Sequence, residues 1–120
     1  MQAQIVHPDP QEELVTRERC AVLESWNTLE DPDVSIARAR VAPGATTELH
    51  SLDVDERYLV LAGRGIARIG DLQAEAVGPG DVVVIPAGTP QQITNGGDDD
   101  LVFYCVCSPR FTPEGYRSLE

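Results

Sequence analysis

Short apolar runs alternate with turn-forming clusters along most of the chain. Turn signals fall at Asp31-Pro32-Asp33, Pro43-Gly44, Gly63-Arg64-Gly65, Gly70-Asp71, Gly78-Pro79-Gly80-Asp81, Pro86-Ala87-Gly88 and Asn95-Gly96-Gly97. Between them lie runs rich in Val, Ile, Leu and Tyr at 34–41, 58–62, 66–69, 82–85 and 101–106, a rhythm that predicts an all-β sandwich or barrel. Alternation in 34–41 is partial and places Ile36, Arg38 and Arg40 on one face. The runs 82–85 and 101–106 are almost continuously apolar, which predicts strands covered on both faces. Helical signals are confined to the ends: Asp9-Pro10-Gln11-Glu12 offers a cap, a first-turn proline and an acidic turn, and Thr112-Pro113-Glu114 repeats it before Gly115. Asp98-Asp99-Asp100, beside Asn95-Gly96-Gly97, reads as a solvated hairpin tip.

Length and composition narrow the chemistry. The 120 residues make one domain, with 1–18 expected as an N-terminal arm, 35–107 as the barrel core and 108–120 as a C-terminal segment. Nine basic residues, all arginine, face twenty acidic ones for a net charge of −11. The absence of lysine excludes Schiff-base chemistry, a pyridoxal anchor and a P-loop lysine. With only His7 and His50, a three-histidine metal centre within one chain is impossible. The acidic balance argues against nucleic acid and anionic membranes as partners. Cys20, Cys105 and Cys107 lack disulfide-scaffold spacing and read as buried free thiols. With no leader-like stretch and no apolar span of about 18 residues, the expected setting is soluble and cytoplasmic.

Two segments carry the chemistry. Gly44, His50, Leu52, Glu56 and Gly63 stand at the spacings of G-x5-H-x-H-x3-4-E-x6-G, with Leu52 at the second histidine. Gly80, Pro86, Gly88, Gln91 and Asn95 stand at those of G-x5-P-x-G-x2-H-x3-N, with Gln91 at the histidine. Together they resemble the two motifs of the cupin superfamily. The resemblance implies a double-stranded β-helix of the jelly-roll type, with short helical turns only at the termini, and a homodimer.

Strand geometry is consistent with this. Residues two apart share a face, so His50 and Leu52 both look inward, as do Glu56, Tyr58 and Val60. Gln91 enters from a separate strand after the Pro86-Ala87-Gly88 turn, with Ile93 completing the expected lining. Metal-binding cupins hold one divalent ion with three histidines and a glutamate. Carried onto this chain, the resemblance leaves His50, Glu56 and the Gln91 amide as expected ligands for Fe, Mn, Ni or Zn. The expected partner is a small organic molecule, handled by dioxygenase-like or isomerase/lyase-like chemistry with Tyr58 as the assisting catalytic group. The alternative is a metal-free, non-catalytic barrel binding a sugar or small organic acid, in which the same polar residues satisfy one another. Arg38 and Arg40 are expected outside, His7 on the surface, and Trp26 in the core or at a dimer contact.

Overall fold

A computed structural model describes residues 1–120 and turns the apolar runs into eleven strands. In chain order these are β1 (Leu14–Val15), β2 (Ala21–Trp26), β3 (Ser35–Val41), β4 (His50–Leu52), β5 (Asp55–Ala62), β6 (Gly65–Ile69), β7 (Glu75–Val77), β8 (Val82–Ile85), β9 (Gln91–Asn95), β10 (Leu101–Ser108) and β11 (Tyr116–Ser118). Helix is limited to 3-10 turns at Pro10–Glu12 and Pro113–Gly115, both where a proline opens an acidic turn. No helix is long and apolar enough to cross a membrane.

The strands form two antiparallel sheets, ordered β1-β2-β3-β10-β5-β8 and β11-β4-β9-β6-β7. Consecutive strands repeatedly switch sheets, as a jelly-roll barrel requires. Alternate residues of both sheets turn inward to form one core, including Val41, Val60, Ile85, Ile93, Leu101 and Phe103, each at most 2% exposed. The segments flanking 35–107 also join the sheets: β1 pairs with β2, β2 with β3, and β11 with β4.

Two local expectations are corrected. The run 82–85 is not covered on both faces: Val83 and Ile85 are buried, whereas Val82 and Val84 are 58% and 63% exposed. The cause is position, since β8 is an edge strand with no layer outside it. In the run 101–106, Leu101 and Phe103 are buried while the alternate residues are only half-covered. The acidic run at 98–100 is also not a hairpin tip, because β9 and β10 belong to different sheets and the segment between them crosses over.

The motif residues that do no chemistry hold these crossovers. Gly63 joins β5 to β6 at φ +81°, and a Cβ there would sit 2.5 Å from the Asp100 carbonyl oxygen, so glycine is required on both counts. Asn95, 1% exposed, donates through Nδ2 to the carbonyls of Val41 and Asp99, each at 2.8 Å, and accepts the Gly97 N–H at 2.9 Å. It ties the end of one sheet to the other. Asn95→Ala leaves these backbone groups without their side-chain partner and is expected to cost about 3 kcal/mol, read as a lower urea midpoint at unchanged slope. A midpoint within error of wild type would remove this role from Asn95.

Candidate functional site

His50 opens β4 and pairs across the strands with Gln91 of β9, so both side chains occupy one face. Its Nδ1 lies 2.7 Å from the Glu48 carbonyl oxygen, which can only accept. Nδ1 therefore carries the proton, and Nε2 keeps a free lone pair in the neutral ring. The imidazole stacks on Tyr116 at 4.7 Å with planes 15° apart. Tyr116 donates its hydroxyl to Glu48 Oε1 at 2.5 Å, Arg17 reaches the same oxygen at 3.4 Å, and the Arg17 guanidinium lies over the Tyr116 ring at 5.1 Å. These partners hold the Glu48 carboxyl below the ordinary range, the Tyr116 hydrogen bond acting most.

Glu56 lies near the start of β5, 6% exposed. Cys107 donates its thiol to Glu56 Oε2 at 3.7 Å, and Glu56 Oε1 has no partner. Burial pushes the Glu56 carboxyl up to about 7; Glu18 pushes it further and the Gln91 amide opposes the shift. Gln91 is fully buried: Tyr58 donates its hydroxyl to Gln91 Oε1, and Gln91 Nε2 is left unpartnered. Burial raises the Tyr58 phenol well above its usual range, so it stays protonated. Its ring rests on Phe103 at 4.4 Å.

His50, Leu52, Glu56 and Tyr58 are brought together on one cavity of about 70 Å³, room for a few waters. Val60 and Ile93 lie deeper, in the core cluster, and Gln91 stands behind the wall on the far side of its bond to Tyr58. The wall also includes Glu18, Cys20, Cys105 and Cys107, with Phe103 and Phe111 among its apolar members. Burial pushes Cys20 up to about 12 and raises Cys105 and Cys107 as well, so the three thiols stay protonated and are not nucleophiles. Arg38 and Arg40 lie off the wall, both paired with Glu13, and Arg40 also with Asp100 at 3.1 Å. His7 is exposed, and half-buried Trp26 donates to Asp31 at 2.9 Å.

Sequence reading missed Glu18 and Tyr116. Glu18 enters from the β1–β2 turn, where Thr16 Oγ1 accepts its N–H at 3.2 Å and Arg19 adopts φ +64°. A left-handed arginine leaves no mark in a sequence. Tyr116 was legible only as an aromatic near the C-terminus.

Residues 37–107 match the Cupin_2 family, the cupin domain. The chain belongs to the cupin family. An uncharacterized protein of Methanocaldococcus jannaschii is 36% identical over 87 residues, covering 72% of this chain and 69% of that one. Among solved structures, the polyketide cyclase RemF of Streptomyces resistomycificus shares the fold at TM-score 0.77 and 22% identity, covering 99% and 87% of the two chains. Oxalate decarboxylase of Bacillus subtilis does so at TM-score 0.79 and 19% identity, over 98% of this cupin and 33% of that chain.

The donors of this cupin do not fit a tightly resident metal ion. His50 and Glu56 line the cavity, but Leu52 cannot ligate, and the Gln91 oxygen is taken by Tyr58 behind the wall. No three His, Cys, Asp or Glu side chains gather closely enough to hold an ion, whereas a catalytic site typically supplies about three protein ligands.

Glu56 gives the site a pH signature. Its folded pKa, about 7, lies above the ordinary 4.5, so its contribution to stability is complete below about pH 4.5 and is lost as pH rises through 7. Wild type should therefore lose stability relative to Glu56→Gln between about pH 5 and pH 8, by on the order of 3 kcal/mol. Thermal melts of both proteins across that range measure this, and parallel curves would place the Glu56 carboxyl in water.

Proposed function

We propose that this cupin binds a small organic molecule in the barrel cavity and moves a proton on it with His50 and Glu56, in an isomerase- or lyase-like reaction without a resident metal. The observation that carries this reading is that His50 and Glu56, two buried groups, line one cavity, with His50 Nδ1 on the Glu48 carbonyl and Glu56 Oε1 without a hydrogen-bond partner. A carboxyl near pH 7 is suited to giving and taking protons. An isomerisation balances: Nε2 accepts a proton from one carbon of the bound molecule, protonated Glu56 returns one to another position, and solvent re-equilibrates the pair. Tyr58, protonated and bonded to Gln91, shapes the wall and holds the amide in place. That the same fold serves a polyketide cyclase and an oxalate decarboxylase supports a small molecule as the partner.

A second reading, a divalent ion held by His50, Glu56 and Gln91 for dioxygenase-like chemistry, is favoured by the orphaned Glu56 oxygen and needs the Gln91 amide to leave Tyr58. Metal analysis of protein purified without chelator separates the two. The metal-independent reading expects Fe, Mn, Ni and Zn well below one equivalent, with no change in His50→Ala. An equimolar metal lost in that variant would overturn it in favour of the ion.

A further inference from the structure

Most of the cavity wall cannot move without breaking a sheet. Glu56 and Tyr58 stand on β5 and Phe103, Cys105 and Cys107 on β10, two strands paired to each other along their length. Phe111 is the one large apolar wall residue outside the strands. It lies between β10 and β11, where the chain crosses from one sheet to the other. Both ends of this crossing are fixed. Ser108 closes β10, and the Gly115 carbonyl accepts the Asp53 N–H at 3.0 Å just before β11.

The strap between them, residues 109–112, is held outside any ladder. Asn27 grips it twice: its Nδ2 donates to the Phe111 carbonyl at 2.8 Å, and its Oδ1 accepts from Arg110 Nη1 at 2.8 Å. Ser35 Oγ accepts the Phe111 N–H at 2.9 Å, and the Pro32 carbonyl accepts the Arg110 N–H at 3.1 Å. The Phe111 ring packs against the cluster of Leu52, Val54 and Cys107. Asn27 and Phe111 are half-buried and Glu24 is exposed, so these wall residues mark the side facing solvent. A space of about 70 Å³ holds about five waters, hence a molecule of about five non-hydrogen atoms. The Phe111 ring, with its six carbons, takes up on that side about as much room as the cavity leaves for a ligand.

We infer that Phe111, latched by Asn27, sets the size of molecule the cavity admits. Molecules of about five non-hydrogen atoms fit with the strap in place, and one carrying a further ring requires the strap to give way. This rests on the reading of the cavity as the ligand site and adds its size limit. A segment pinned by side chains opens more readily than a strand in a ladder, which makes the strap the yielding wall.

The test is an NMR titration of the whole chain with two neutral probes, 1-propanol and 3-phenyl-1-propanol. Wild type is compared with Phe111→Ala and Asn27→Ala. Propanol is expected to shift residues around His50, Glu56 and Phe103, with affinities in wild type and Phe111→Ala within about twofold. Phenylpropanol should bind Phe111→Ala about tenfold tighter than wild type, its ring taking the vacated space. In Asn27→Ala the amide protons of Arg110 and Phe111 should exchange with solvent about tenfold faster. Phenylpropanol binding wild type and Phe111→Ala alike overturns the size limit and leaves the small-molecule reading standing. Unchanged exchange in Asn27→Ala overturns the latch. If propanol shifts no cavity residue in any of the three proteins, both readings fall. Phe111→Leu, which keeps an apolar contact with the Leu52 cluster, carries the comparison if Phe111→Ala does not fold, with a gain of about threefold.

Discussion

A carboxyl buried in a barrel that offers it no cation is the constraint around which this molecule is arranged. Glu56 sits where β5 enters the core, with protein on every side except the cavity. The chain meets that cost by weak, neutral means: a thiol on one oxygen, an amide nearby, and protonation close to neutral pH. Each of these ties another residue. The amide of Gln91 is fixed by Tyr58, and Tyr58 in turn rests on Phe103.

The imidazole shows the opposite economy. Glu56 is under-satisfied, whereas His50 is held on one nitrogen by a backbone carbonyl and on one face by an aromatic ring. Its remaining nitrogen makes no hydrogen bond within the protein. An imidazole held on one nitrogen and a loosely satisfied carboxyl on the same cavity wall suit proton transfer, and as two donors they are too few to grip an ion.

What the sequence made legible was whatever depends on local geometry. Gly63 and Asn95 stand at fixed spacings because a close backbone approach and a buried triple hydrogen bond need those residue types wherever the fold occurs. Alternation was enough to turn His50, Leu52, Glu56 and Tyr58 toward one interior. Three features were not legible. Glu18 stands at the cavity in a turn where the next residue, Arg19, adopts a left-handed backbone and bonds the distant carbonyls of Thr46 and Thr47. The Gln91 side chain lies behind the wall because of a partner 33 residues earlier. The apolar run 82–85 looked like a doubly covered strand because sequence carries no sign of which strand ends a sheet.

That last strand has a colloidal consequence. Val82 and Val84 give β8 a greasy outer face on a sheet edge whose far side lacks a hydrogen-bonded neighbour, the usual template for strand-to-strand sticking. At neutral pH the net charge of −11 keeps copies apart by mutual repulsion. That protection vanishes near the isoelectric point of about 4.4, so acid storage brings the bare edge strands of neighbouring molecules within reach of one another.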